Sequence, residues 1–127
     1  MTALVLDAGA LVAADRSDRR FRATLAVALE QGWDVRVPAM VIAQAWRDPA
    51  GRQVHLGRLL RAAEVRRVDG PTARAAGVLC GKARTSDPID ATVVLAAETG
   101  DRIVTSDPGD IAKLADAAEI AVTIAAC

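Results

Sequence analysis

Three aspartates, Asp7, Asp90 and Asp107, stand where chemistry is expected. Asp7 ends the continuous apolar run Ala3–Leu6, and Asp107 comes just after the short segment Arg102–Thr105. Asp90 opens the stretch Ile89–Glu98, which is apolar nearly all round. Read as strands and a buried helix, these segments bring acids from distant parts of the chain to one sheet edge. Open α/β sheets place ligands beyond the C-terminal ends of their strands. Carboxylates gathered there repel and raise one another's pKa unless a cation neutralises them. A hard divalent ion, Mg²⁺ or Mn²⁺, takes such oxygens together with water and a phosphate. Such an ion activates water, orients a phosphodiester and stabilises the leaving oxygen, so metal-assisted phosphodiester hydrolysis is the expected chemistry.

Other acids have a plainer reading. Thr85-Ser86-Asp87-Pro88 and Thr105-Ser106-Asp107-Pro108 echo each other. Asp followed by Pro is what a helix start requires, an oxygen to cap and then a residue that needs no N–H. Asp90 and Asp110 each fall three residues after those caps, where an acid favours the helix dipole. Capping therefore accounts for Asp87 and dipole complementation for Asp110. Asp90 differs because its helix is the most apolar of the chain. Asp7 differs because no cap pattern follows it.

The elements that must position these residues follow from periodicity. Ala3–Leu6 reads as a strand buried on both faces. Gly9 marks a turn into Ala10–Ala14. Arg19–Gln31 is predicted helical, with Phe21, Leu25 and Leu29 on one face and Gly32 closing it. Asp34–Val37 is a second strand, Ala39–Trp46 a helix, and Asp48-Pro49 a turn. Arg52–Ala63 follows as a helix with Leu56, Leu59 and Leu60 inward. Glu64–Val68 is a third strand, and Pro71–Arg84 a helix with Pro71 at its permitted first position. Then come the helix Ile89–Glu98, a strand Arg102–Thr105, a helix Pro108–Ala117 and a fifth strand Ile120–Ile124. Strands alternating with helices predict an α/β fold with a mainly parallel four- to five-stranded sheet, flanked by helices on both faces.

Composition bounds the rest. The 127 residues suit one domain spanning 1–127, and 52% hydrophobic residues suffice for a core. Aromatics are only 2%, so that core must be built from Ala, Val, Leu and Ile, and a stacking platform for single-stranded nucleic acid is excluded. Cys80 and Cys127 lack metal-site spacing. Together with the lack of an export signal or a membrane-spanning run, they suggest a cytoplasmic protein. The zero net charge hides an asymmetry. Residues 47–67 carry six Arg against two acids, and residues 87–127 carry eight acids against one Arg and one Lys.

Taken in order, Leu4-Val5-Leu6-Asp7, Val41-Ile42-Ala43-Gln44-Ala45-Trp46, Ile89-Asp90-Ala91-Thr92-Val93-Val94 and Ile103-Val104-Thr105-Ser106-Asp107 resemble the PIN-domain family. The likeness covers the whole chain, and its length is similar to that of the VapC-like toxins of type II toxin–antitoxin systems. The resemblance implies a Mg²⁺- or Mn²⁺-dependent endoribonuclease, usually a homodimer, inhibited by a cognate antitoxin. It implies Asp7, Asp90 and Asp107 as metal-site acids and Thr105 as the hydroxyl that orients them. Two positions depart from the pattern. Gln44 stands where the family has its second acid, and an amide oxygen carries no charge. Asp110 or Asp87 could supply the missing charge. Ala8 follows Asp7 where a hydroxyl residue is common.

The basic stretch gains meaning beside this. Arg47, Arg58 and Arg61 are candidate RNA contacts, since guanidinium forks suit phosphates. Solvated helix surface is the competing reading. His55 has no second histidine to pair with and is not assigned a role. The alternative function is a PIN-fold binding or regulatory module whose site is weakened by Gln44. A phosphoacceptor receiver domain fits less well, because Asp7 stands alone and Lys113 lies within a helix before the last strand.

Overall fold

The computed structural model describes residues 2–47 and 50–127. The expected turn at Asp48-Pro49 lies outside the described residues. Among the described residues twelve elements follow one another: β1 (Ala3–Leu6), α1 (Ala8–Asp15), α2 (Arg19–Glu30), β2 (Asp34–Pro38), α3 (Ala39–Ala45), α4 (Val54–Ala62), β3 (Glu64–Arg66), α5 (Gly70–Ala83), α6 (Pro88–Leu95), β4 (Arg102–Thr105), α7 (Pro108–Ala117) and β5 (Thr123–Ala126).

All strand pairs are parallel, in the order β3-β2-β1-β4-β5. The chain builds outward from β1 through β2 to β3, then returns to lay β4 on the other side of β1. The gap between β1 and β4 is therefore the point where strand order reverses, the usual ligand position in open α/β sheets. Leu6 pairs with Val104, so Asp7 and Thr105 leave the sheet side by side.

Burial explains the continuous apolar runs. Every residue of β1 is buried, as expected for a strand covered on both faces. Helices α2, α3 and α4 pack with α1, while α5, α6 and α7 pack with one another. The core is aliphatic around one ring, with Phe21, Leu4, Leu6, Leu11, Leu56 and Ile103 among its largest fully buried side chains.

At the opposite edge of the sheet, Arg36 of β2 is buried. Its Nη1 donates to the Ala96 carbonyl at 2.7 Å and faces Asp101 Oδ2 at 3.5 Å. Asp101 in turn accepts from the Ala3 and Glu98 amides, each at 2.8 Å. This network ties the starts of β1 and β4 together.

Several boundaries differ from expectation. Gly9 is no turn: α1 begins at Ala8, directly after Asp7. β3 stops at Arg66, an exposed three-residue edge strand, and β5 is shifted to Thr123–Ala126 to pair with β4. Edge strands make fewer contacts, so apolar pattern specifies their ends weakly. Pro71 is the second residue of α5, behind Gly70, with Asp69 as cap. In α2, Phe21 and Ala28 are buried, whereas Leu29 is 59% exposed.

Candidate metal centre

The site is built from the two turns that leave β1 and β4. Asp7 is buried, and its carboxylate is held by three donors. Oδ1 accepts from the Ala10 amide at 2.9 Å. Oδ2 accepts from the Thr105 hydroxyl at 2.5 Å and from the Ser106 amide at 3.1 Å. The bond from Ala10 makes Asp7 the N-cap of α1, which corrects the expectation that no cap pattern follows it. Cap signals read poorly here because Ala8, Gly9 and Ala10 offer no polar pattern.

Thr105 has no exposed surface, and its hydroxyl works in both directions. It donates to Asp7 and accepts from the Asp107 amide at 2.8 Å. The backbone entering α7 is thereby fixed to the end of β1. Asp107 occupies the N-cap position of α7 with φ −132° and ψ 67°, yet makes no side-chain cap hydrogen bond. Its carboxylate is left facing its neighbours. Asp87, in the matching position before α6, does cap: it accepts from the Ile89 and Asp90 amides at 2.9 and 3.2 Å.

Asp90, Asp107 and Asp110 each bring one carboxylate oxygen to within 4.8 Å of the others. Asp90 projects from the first turn of α6 and Asp110 from that of α7. Burial pushes the Asp90 carboxyl up to about 6, helped by the charges of Asp87, Asp7, Asp107 and Asp110. Asp110 is also raised, chiefly by a hydrogen bond and charge repulsion with Asp107, with Lys113 one turn on opposing the shift. The acids around Asp90 outweigh the single charge of Lys113, and such a donor set fits a hard cation. One oxygen from each of three acids, all within 4.8 Å, is the kind of donor set that Mg²⁺ or Mn²⁺ takes.

Of the two acids that could replace the missing charge, Asp110 joins the cluster, whereas Asp87 caps α6. The signal for Asp110 was its spacing: residues three apart on a helical turn share a face, so Asp110 had to lie beside Asp107. Gln44 sits exposed on the last turn of α3, and no hydrogen bond among the described residues joins it to the acids. Arg47 has its Nη1 on the Ala43 and Trp46 carbonyls at 3.0 and 2.8 Å, closing the end of α3. Arg61 is exposed in the last turn of α4.

Arg58 lines a separate groove of about 580 Å³ between α2 and α4, walled mainly by Phe21, Leu25, Leu29, Trp33 and Leu59. None of the clustered carboxylates lines it. Its mainly apolar walls set it apart from the acidic edge.

No family model matches the chain, and no curated protein does either. Six chains of solved structures match. One belongs to the VapBC2 complex of Rickettsia felis bound to a DNA fragment from their promoter, with a TM-score of 0.69 over 98% of each chain. The chain has a PIN-like fold. At 14% identity the likeness speaks for the fold alone. Within that PIN-like fold, the acids lie where β1 and β4 part, as the open-sheet rule requires.

Proposed function

We propose that the chain is a divalent-metal-dependent endoribonuclease of the VapC-like kind, acting at the edge between β1 and β4. The observation that carries this reading is the meeting of Asp90, Asp107 and Asp110 oxygens within 4.8 Å, beside a triply bonded Asp7. Asp90, Asp107 and Asp110 would hold Mg²⁺ or Mn²⁺, with Asp7, which lies outside that group of three, as the proposed fourth acid. When bound, the ion supplies positive charge to the phosphodiester and lowers the pKa of water. Asp7 is held rigid by its three donors. Thr105 is a positioning residue, since its hydroxyl sets Asp7 against the start of α7. Asp90, desolvated and crowded by like charge, gains most from a cation.

RNA as substrate and a cognate antitoxin as inhibitor follow from the resemblance, and the VapBC2 complex supports a protein partner. Homodimerisation and a cytoplasmic setting belong to the same proposal. Among the described residues no helix is long and apolar enough to cross a membrane. Arg58 and Arg61 are proposed to carry RNA phosphates, with Arg47 in a lesser part because its guanidinium also closes α3. Gln44 is proposed as a neutral flank of the site. Its exposure and missing charge favour the second reading, a PIN-fold binding module with a weakened site. Calorimetric titration with Mn²⁺ tests the proposal. Saturable binding that disappears in Asp90→Asn supports the metal centre, and absence of binding in the native protein contradicts it.

A further inference from the structure

Gly9 lies in the first turn of α1, two residues after Asp7, with no backbone angle that demands glycine. Helix propensity alone would make alanine the better residue there. Its surroundings reverse that preference. A Cβ built on Gly9 would stand 2.3 Å from both Cβ and Oγ of Ser106, and 3.2 Å from the Ser106 amide nitrogen. Rotating Ser106 moves its Oγ but not its Cβ, so the backbone of one turn must retreat by about 1 Å to reach ordinary contact.

Ser106 cannot retreat alone. Its amide donates to Asp7 Oδ2, its predecessor Thr105 donates to the same oxygen, and its successor Asp107 donates its amide to the Thr105 hydroxyl. Any displacement of Ser106 carries the Asp107 carboxylate with it and lengthens the bonds that orient Asp7. Metal–ligand distances tolerate only about 0.2 Å.

We infer that Gly9 is a positioning residue of the metal centre: by lacking a side chain it lets the β4–α7 turn close onto the start of α1, setting Asp107 against Asp7. This rests on the metal-site reading above. Neither a mobile turn nor a ligand at the helix end is needed, only the close approach of two backbones.

The test is a cycle of Gly9→Ala, Ser106→Gly and the double variant, each titrated with Mn²⁺ by calorimetry. Gly9→Ala should weaken Mn²⁺ binding by about tenfold to a hundredfold, the usual cost of disturbing groups that orient metal ligands. In the Ser106→Gly background both 2.3 Å contacts are gone, and the same substitution should cost far less. Equal losses in the two backgrounds, or a Gly9→Ala loss within about twofold, would overturn the inference, because uncoupled sites add within that range. Should Gly9→Ala fail to fold, recovery of folding and Mn²⁺ binding in the double variant supports it, and failure of both overturns it. Native protein that binds no Mn²⁺ contradicts the metal reading instead. The amide resonances of Ser106 and Asp107 in metal-free protein then decide the geometry. They should shift in Gly9→Ala and return toward the Ser106→Gly positions in the double variant, and unshifted resonances overturn it.

Discussion

Asp87 and Asp107 hold equivalent positions in two copies of the pattern Thr-Ser-Asp-Pro-x-Asp, and only Asp87 uses its side chain on the helix it opens. Asp87 caps α6 through two amides, while Asp107 leaves its carboxylate beside Asp90 and Asp110. The difference traces to Thr105. Its hydroxyl accepts the Asp107 amide and donates to Asp7, a partner that the Thr85 copy lacks, since the buried Thr85 hydroxyl has no hydrogen-bond partner among the described residues.

Asp87→Ala should therefore lose the cap, about 1 kcal/mol of stability, while Asp87→Asn keeps an oxygen for it. Asp107→Ala should cost little in metal-free protein, because it removes a like charge from Asp90 and Asp110. Urea unfolding of the three variants checks this. Equal losses for Asp87→Ala and Asp107→Ala would mean that both acids cap.

The raised Asp90 carboxyl sets a pH dependence. Its folded value of about 6 exceeds the ordinary 3.8, so the folded protein holds this proton more tightly than the unfolded chain. The resulting stability is complete below pH 3.8 and is lost as pH rises to about 6. Acids whose pKa is lowered, Glu64 and Asp69, act in the opposite direction. The difference in melting temperature between native and Asp90→Asn protein, without metal, isolates the group: Asn should gain relative to Asp as pH rises through that window. A difference that does not change with pH would contradict the desolvated, crowded Asp90 described above.

Thr105→Val keeps the shape of the side chain and removes the hydroxyl. Asp7 Oδ2 then keeps only the Ser106 amide, and the Asp107 amide loses its acceptor. Stranding buried polar groups costs about 1–3 kcal/mol each, so a clear loss in urea midpoint is expected, with Thr105→Ser recovering part of it. Unchanged stability in the valine variant would show that the bridge does not hold the two turns together.

The Arg36–Asp101 pair separates fold from site. Asp101→Ala removes one of the two acids facing buried Arg36, leaving Glu64 at 3.4 Å, and strips acceptors from the Ala3 and Glu98 amides. A loss of about 1–3 kcal/mol for each stranded amide is expected by urea unfolding. Mn²⁺ affinity, measured where the variant is still folded, should not change, because the pair lies at the starts of the strands and the acids at their ends. Loss of metal affinity in folded Asp101→Ala would tie the two ends together.

Much of this architecture is legible in residues such as Ala3–Leu6 and Arg102–Thr105, because central parallel strands must be apolar on both faces. Asp90 is legible for a related reason: an acid opening so apolar a helix has little to gain from solvent. Asp110 was legible only in part: it stood with Asp87 as a possible source of the missing charge, but a first-turn acid is explained equally well by the helix dipole. The cap formed by Asp7 was not legible, because its partner Ala10 has no side-chain signal. The closeness of Gly9 and Ser106 depends on the register of β1 against β4, which no local pattern encodes.

Cleavage of a labelled single-stranded RNA by purified protein, with Mn²⁺ or with EDTA, tests the central claim most directly when run beside Asp90→Asn. The account predicts cleavage by the native protein with Mn²⁺, and none above background with EDTA or with Asp90→Asn. Equal cleavage in EDTA would contradict the metal mechanism, and no cleavage by native protein that binds Mn²⁺ would favour the binding module in its place.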